Sequence, residues 1–464
     1  MKQSLPLLLL ATLPACRATP DVDPGQQART EPQPTVPAKL SLTLTTTITG
    51  IEALSYASDL RPFGDWDGDG NGDLLFTDQS AYKDPMQVYV FSPTSGRLLS
   101  SPKIPELDVS DERAVLLATG VGDIDGDHRD DMLVLTCTAQ NTTTRRMLVQ
   151  AYGASSIEPL WSCRIDTPNP PYPTSLQVVG DLDGDGVPDF VLGAEPRTRL
   201  EVSANSPDAQ GWVEARSGRD GHPLWRIHSD SEMLIGSEVA RSTDINFDGV
   251  PDVALSLRYR GLADSTMSSE DPKHRIEVRC GATGMHLGVL KDTSQARGLR
   301  SPKPLHLRGG EDIDGDGVPE LVVRSLLDAD EVVVYSGRGW KVLARATPHP
   351  DPNGREETWF PSAVDVTCDL DGDGWRDLLL GHDEVGTEMG YDYGAIYVQS
   401  SRTNELMAAV WGEGKDSKLG DRIAWLGDTD HDGRPEFAAV TTGGIKVWSI
   451  DGVPASPAKG AGAK

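Results

Sequence analysis

Seven times along the chain a short run of consecutive apolar residues opens on an acid. The runs are DLLFT from Asp73, DMLVLT from Asp131, DFVLG from Asp189, DVALS from Asp252, ELVVR from Glu320, DLLLG from Asp377 and EFAAV from Glu436. Apolar runs this short predict strands buried on both faces. Behind each comes a stretch of alternating hydrophobicity: MQVYVFS, MLVQAYG, GWVEARS, RIEVRC, EVVVYS, AIYVQS and IKVWSI. Side chains on a strand alternate between its two faces, so period-two alternation predicts a further strand. Gly-bearing turns such as TSGR and SGRDGH then lead, as in hairpins, into a last strand such as HPLWRI, MHLGVL, WKVLARA or ELMAAVW. One more strand, for example SLQVVG or RIAWLG, precedes each unit.

Each unit therefore holds four antiparallel strands, and successive units start 57 to 68 residues apart. A supersecondary unit copied at such a period signals a repeat architecture. Four-stranded antiparallel sheets repeated radially make propeller blades, so the expected fold is all-β, a seven-bladed β-propeller over residues 39–452. The seventh unit lacks a fourth strand, because IKVWSI runs into the Pro- and Gly-rich GVPASPAKGAGAK. At the other end LSLTLTTTI, residues 40–48, alternates as a strand yet belongs to no unit. Placed as the outer strand of the last blade, it joins the two ends of the chain, seals the ring and removes a free sheet edge.

The polar stretch before each apolar run carries the candidate chemistry. It is a nine-residue loop: DWDGDGNGD, DIDGDHRDD, DLDGDGVPD, DINFDGVPD, DIDGDGVPE, DLDGDGWRD and DTDHDGRPE. A hard cation such as Ca²⁺ takes about six to eight oxygens, and acids at alternate positions of a tight loop point them at one centre. Positions 1, 3 and 5 are Asp65, Asp67 and Asp69; Asp123, Asp125 and Asp127; Asp181, Asp183 and Asp185; Asp244, Asn246 and Asp248; Asp312, Asp314 and Asp316; Asp369, Asp371 and Asp373; and Asp428, Asp430 and Asp432. Position 7 offers only a backbone carbonyl and varies freely, as Asn71, Arg129, Val187, Val250, Val318, Trp375 and Arg434. Position 9 is always acidic, as Asp73, Asp131, Asp189, Asp252, Glu320, Asp377 and Glu436, and is expected to close the shell. Position 6 is Gly in six copies, where a sharp turn favours a left-handed backbone, and His128 in the second. Asp and Gly also build plain acidic turns; seven matched copies argue against that reading. Ca²⁺, up to seven ions in a mainly structural role, is preferred over Mg²⁺ because Mg²⁺ keeps several waters.

The chain of 464 residues carries a net charge of −28, with Asp and Glu numbering 71 against 43 Lys and Arg. The acids concentrate in the loops, which fits bound cations and excludes the basic footprint a nucleic-acid partner needs. MKQSLPLLLLATLPAC, residues 1–16, is too short to span a bilayer and predicts a secretory signal. Leu13-Pro14-Ala15-Cys16 resembles the bacterial lipobox, which implies lipidation of Cys16 and a cell-envelope address, the outer membrane in particular; an ordinary signal cut after Ala18 would instead give a secreted protein. Residues 17–38, rich in Pro, Thr, Gln and Asp, predict a disordered tether, and 453–464 a disordered tail. The spacing of Cys137, Cys163, Cys280 and Cys368 defines no disulfide framework and no zinc motif; a Cys137–Cys163 bridge is compatible with export.

With its sevenfold DxDxDG loop the chain resembles the FG-GAP or VCBS repeat family, which includes the propeller at the head of integrin α subunits. Further traces are the Gly before a first strand in LIGSEVA and KLGDRIA, and Gly193-Ala194-Glu195-Pro196 after the third loop. The resemblance implies a ligand-binding, adhesion or interaction module; strand meandering puts the calcium loops on one face, so a protein or glycan is expected to meet the opposite one. There the long connections AEPRTRLEVSANSPDAQG, RYRGLADSTMSSEDPKHR, TPHPDPNGREETWFPS and HDEVGTEMGYDYG lie, with Tyr259, Trp359, Phe360, Tyr391 and Tyr393 as aromatic contacts. A calcium-dependent hydrolase or polysaccharide lyase on a propeller is the alternative. It needs a catalytic set, and the nine His show no nucleophile–base pattern. Turns followed by Trp161 and Trp225 resemble the repeats of quinone-cofactor dehydrogenases, but the recurrence is sparse.

Overall fold

The computed structural model describes residues 40–49, 59–78, 87–99, 115–139, 145–156, 158–165, 171–195, 211–230, 233–259, 274–290, 306–324, 332–347, 361–383, 393–413 and 417–454. The expected signal, Cys16, the tether and most of the tail lie outside them, as do Trp359, Phe360 and Tyr391. The described residues fall in the unit Thr35–Lys464.

That unit is a seven-bladed β-propeller of antiparallel sheets. The inner strands are Asp59–Phe63, Val115–Gly122, Tyr172–Gly180, Met233–Arg241, His306–Glu311, Ala363–Val366 and Ile423–Gly427, for blades 1 to 7. Blades 2 to 7 each have four strands. In blade 1 three strands are followed by a Phe91–Leu98 bridge that starts the fourth. The ring closes as expected: Ser41–Ile48 pairs with Gly444–Asp451 as the outer strand of blade 7, Ser41 opposite Asp451 and Ile48 opposite Ile445.

The core lies between blades rather than within them. Seven buried apolar clusters correspond to the seven interfaces, and the last joins Leu60, Leu74 and Phe76 of blade 1 to Ala424, Ala438 and Val440 of blade 7. This explains the uninterrupted apolar runs. In the second strand of blade 3, Phe190 and Leu192 face blade 2 while Val191 faces blade 4. Both sides of a middle strand are therefore core, and each such Leu or Phe removed from water contributes about 1.5–3 kcal/mol.

Polar contacts fix how the blades meet. Trp161 Nε1 donates to the Gly218 carbonyl of the next blade at 3.1 Å, and Trp225 Nε1 to the Gly281 carbonyl at 2.6 Å. The tryptophans after the turns are thus inter-blade struts. Asp365 joins three blades, pairing with Arg308 at 2.8 Å and accepting the Trp425 amide at 2.9 Å. Gly193 and Gly236 bring blades 3 and 4 together so closely that a Cβ on Gly193 would stand 2.3 Å from the Gly236 carbonyl oxygen. Gly381 meets Gly420 between blades 6 and 7 in the same way, at 2.2 Å. Among the described residues, Cys137, Cys163, Cys280 and Cys368 form no disulfide. Cys137 lies opposite Met147 and Cys163 opposite Val149, so one strand separates them. Two strand spacings are about 9.5 Å, beyond the roughly 7 Å a disulfide spans between Cα atoms.

Removing residues 40–48 strips the outer strand from blade 7 and leaves the edge of Gly444–Asp451 unpaired. The truncated chain is expected to self-associate and to be cleaved near that strand in limited proteolysis; a monomer that melts like the full chain would contradict this.

Candidate cation-binding loops

Each acidic loop joins the inner strand of a blade to its second strand, and all seven share one hydrogen-bond scheme. The position 1 carboxylate accepts the position 6 amide at 2.8–3.0 Å, from Gly70, His128, Gly186, Gly249, Gly317, Gly374 and Gly433 in turn. The position 3 side-chain oxygen accepts the position 5 amide, and the position 5 carboxylate accepts the amide of position 7. Position 7 thus serves through its backbone, and its side chain is free to vary.

Position 9 is the buried residue of the set, with Asp131, Asp189, Asp252 and Asp377 fully inaccessible and Asp73, Glu320 and Glu436 at 1–4% exposure. One of its oxygens always accepts the position 2 amide, from Trp66, Ile124, Leu182, Ile245, Ile313, Leu370 and Thr429. That bond ties the end of the loop back to its start. Burial pushes Asp73, Glu320 and Asp377 up to about 7 and Asp131 and Asp189 up to about 6, and raises Asp252 and Glu436. Neighbouring loop carboxylates add to the shift, as Asp67, Asp69 and Asp65 do at Asp73.

The turn needs a left-handed backbone at two positions, not one. Position 6 has φ between +68° and +91° in every copy, and position 4 between +59° and +82°. Position 4 is Gly in five loops, a signal the sequence carried, but Phe247 and His431 occupy it in loops 4 and 7. Only the five Gly loops show the position 4 amide donating to the position 1 carboxylate.

The acids converge in groups able to hold a metal. In loops 1, 3 and 6 one oxygen each from positions 1, 3 and 9 lies within 4.8 Å of the others, and in loops 2 and 5 from positions 1, 3 and 5. Asp73 Oδ1, Asp131 Oδ1 and Asp373 Oδ2 are buried with no hydrogen-bond donor. A buried acceptor without a donor is destabilising by about 1–3 kcal/mol, and a hard cation relieves this with the ligand type it prefers. The residues present therefore fit a divalent ion such as Ca²⁺.

Cations from the protein itself also reach the loops. The hairpin between third and fourth strands sits beside the loop of the same blade: Arg219 donates to Asp185 at 2.6 Å, Arg338 pairs with Asp316 at 3.1 Å and Arg97 with Asp67 at 3.5 Å. Arg434 pairs with Asp432 within loop 7. In loop 4, Asn246 Nδ2 and the Cys280 thiol both donate to Asp248 Oδ2, at 2.8 and 3.4 Å.

Second strands end on the opposite face, where Glu195 of blade 3 accepts from Arg258 of blade 4 at 2.7 Å and Glu238 meets His306 at 3.1 Å. Arg324, 5% exposed, donates to the Pro361 carbonyl at 2.6 Å, and burial lowers its guanidinium to about 10. The connecting loops of that face, residues 196–210, 260–273, 348–360 and 384–392, lie outside the described residues. Of the aromatic set, Tyr393 is half-buried.

Blades repeated around a ring, each with an acidic loop between its first two strands, define a repeat propeller with candidate cation-binding loops. No protein-family model matches the chain. Human integrin alpha-7 is 31% identical over 170 residues, 34% of this chain and 12% of that protein. Integrin alpha pat-2 of Caenorhabditis elegans is 21% identical over 267 residues, 55% of this chain and 21% of that protein. The matched stretches thus span no more than 21% of these relatives' own length. The solved structure of BBS1N in complex with ARL6DN has a TM-score of 0.51 at 11% identity, covering 89% of this chain and 98% of that chain, a likeness of fold. With the seven blades, the integrin relatives make this an integrin-α-like FG-GAP propeller.

A Cβ at Gly184 meets nothing within 4 Å, so Gly184→Ala isolates the effect of the +80° backbone. It is expected to destabilise by about 1–2 kcal/mol, and Phe247→Gly, relieving φ +60° at a 90% exposed side chain, to stabilise by about 1 kcal/mol. Urea unfolding of both variants measures this; equal stabilities would show that the left-handed turns carry no strain.

Proposed function

We propose that this chain is a calcium-stabilised interaction propeller held at the cell envelope, and that its ligand docks on the face opposite the acidic loops. The observation that carries the calcium reading is the one hydrogen-bond scheme repeated in seven loops, which leaves three acidic oxygens converging in loops 1, 2, 3, 5 and 6 among others. Asp65, Asp67, Asp69 and Asp73, with the Asn71 carbonyl, would hold the ion in loop 1, and the corresponding residues in the other six. The ion supplies charge neutralisation and oxygen coordination, binding each inner strand to the second strand of its blade. Its role is structural, since the net charge of −28 otherwise sets carboxylates against one another at every loop.

Ligand recognition falls to the other face. The connections there are long and vary between blades, whereas the acidic loops are uniform, and recognition residues concentrate on variable loops carried by a rigid scaffold. The Glu195–Arg258 and Glu238–His306 pairs give that face charge of both signs, which suits a protein or glycan surface better than a polyanion. The integrin relatives support an interaction role over catalysis.

Two addresses are compatible with this role. Lipidation at Cys16 would anchor the propeller through acyl chains, with residues 17–38 as tether. Cleavage after Ala18 would release it. No helix among the described residues is long and apolar enough to cross a membrane.

A ligand that binds only the native state stabilises it by mass action. Excess EGTA is therefore expected to lower the melting temperature by many degrees, with Ca²⁺ restoring it. An unchanged melt, with less than one Ca²⁺ per chain by elemental analysis beforehand, would remove the calcium reading. For the address, Cys16→Ser is expected to shift the protein from the membrane fraction to the soluble fraction or stall its maturation. Mass spectrometry of a wild-type mature chain beginning after Ala18 would establish secretion instead.

A further inference from the structure

We propose that the seven loops are not equivalent, and that loops 1 and 2, on adjacent blades, form the pair of tight cation sites. Loops 3, 4, 5 and 7 are closed largely by donors of the protein itself, with loop 6 between the two groups. This rests on the calcium reading above and ranks the sites within it.

The distinction lies in the second oxygen of position 9. In loops 3 to 6 it accepts a backbone amide from the hairpin between third and fourth strands: Gly218 to Asp189 at 2.9 Å, Gly281 to Asp252 at 3.1 Å, Gly337 to Glu320 at 3.4 Å and Ser401 to Asp377 at 3.2 Å. In loop 7 the Ser449 hydroxyl does this for Glu436 at 3.1 Å. In loops 1 and 2 no donor arrives, although Asp73 and Asp131 are as buried as the rest, at 1% and 0% exposure.

The missing donor in loop 1 has a covalent cause. Turn bonds align the hairpins: Ser92 accepts the Gly96 amide as Ser217 accepts Gly221, Cys280 accepts Gly284 and Ser400 accepts Asn404. The residue after Ser217, Cys280, Ser336 and Ser400 is the donor Gly218, Gly281, Gly337 or Ser401; after Ser92 it is Pro93. Proline has no N–H to give. In blade 2 the hairpin is longer, residues 153–160, with its own turn from the Ser156 amide to the Gly153 carbonyl.

Both orphan oxygens face their loops. Asp73 shares a group with Asp65 and Asp67. Asp131 Oδ1 and Asp125 Oδ2 flank Gly153, 3.4 and 2.9 Å from where its Cβ would stand. Asp131 Oδ1, which has no donor, and Asp125 Oδ2 thus border the same point of the hairpin. The junction between these loops adds a further carboxylate. Position 8 is Pro in loops 3, 4, 5 and 7 but Asp130 in loop 2, whose amide donates to the Asp65 carbonyl at 3.2 Å and whose carboxylate lies over Gly64.

Elsewhere the protein's own donors occupy outer oxygens. Arg219, Arg338 and Arg434 reach position 5 in loops 3, 5 and 7, and Asn246 with Cys280 in loop 4. In loops 1 and 2 the side-chain contacts are longer or uncharged, Arg97 at 3.5 Å from Asp67, His128 at 3.7 Å from Asp123 and the Ser155 hydroxyl at 2.9 Å from Asp127 Oδ2, with the Arg129 guanidinium beside Gly68. Loop 6 keeps an unpartnered Asp373 Oδ2, but its Asp377 is satisfied, which ranks it third.

Calorimetric titration of the full, chelator-stripped chain with CaCl₂, with native mass spectrometry counting ions at buffered free calcium, tests the ranking. Two ions are expected to bind before the others. Asp67→Asn and Asp125→Asn should each remove one of them, while Asp183→Asn and Asp314→Asn should affect only later ions. Pro93→Gly, which returns an amide to Asp73 without touching a ligand, should weaken one early site about tenfold, the weight of one hydrogen bond to a charged group. Seven ions filling together, or an early pair that survives Asp67→Asn with Asp125→Asn, would overturn the ranking and leave the calcium reading standing. A chain that binds no Ca²⁺ would overturn both.

Discussion

No blade of this protein can bury its own middle strands. Each sheet has apolar side chains on both faces, and only its neighbours cover them, so every blade depends on two others and the ring has to close. The pairing of Ser41–Ile48 with Gly444–Asp451 meets that constraint by making the chain's two ends share one sheet. Strands from the two ends then cannot part without breaking a ladder of backbone hydrogen bonds, and the cluster around Leu60, Phe76 and Val440 holds blade 1 against blade 7.

The acidic loops answer the same constraint at the rim. The turn from inner to second strand is tight in its backbone rather than crowded by neighbours, since a Cβ at Gly184 or Gly186 meets nothing within 4 Å, and the chain makes it with two left-handed residues and a carboxylate folded inward. Position 9 stands where the buried strand begins, so its side chain is withdrawn from water while its charge is needed to receive the position 2 amide. Burial pushes its pKa up, and the loops differ in what offsets that strain. In loops 3 to 6 a hairpin amide does so; under the proposed calcium reading, a cation would do the same where an oxygen is left open.

Much of this was legible in the sequence because it is periodic. Repetition exposed the blades, the DxDxDG loops and the missing fourth strand of the last unit, and the apolar runs exposed strands with two buried faces. Features that depend on contacts between copies were not legible. Trp161 and Trp225 bond to carbonyls of the following blade, and Gly193 and Gly236 touch across an interface; neither has a partner within its own repeat. Position 4 was readable in principle from its five glycines, but Phe247 and His431 masked the requirement, since they show that a non-glycine residue is tolerated there at an energetic cost. The Cys137–Cys163 bridge failed because the strand Arg145–Tyr152 stands between them, an order that spacing alone does not set.

Divergence among copies carries information that the consensus hides. A repeat protein closed by packing tolerates change at a loop without opening the ring, because neighbouring interfaces remain intact. Pro93 and the long hairpin of blade 2 are such changes: each leaves the strands in place and withdraws one amide from one buried carboxylate. With seven copies of a loop under the same steric rule, the residues that break the pattern are those most open to specialisation. Those that withdraw the hairpin amide without a substitute fall on two neighbouring blades, joined by the contact of Asp130 with Asp65. The opposite face follows the same logic at larger scale, its variable connections riding on strands whose positions the ring has already determined.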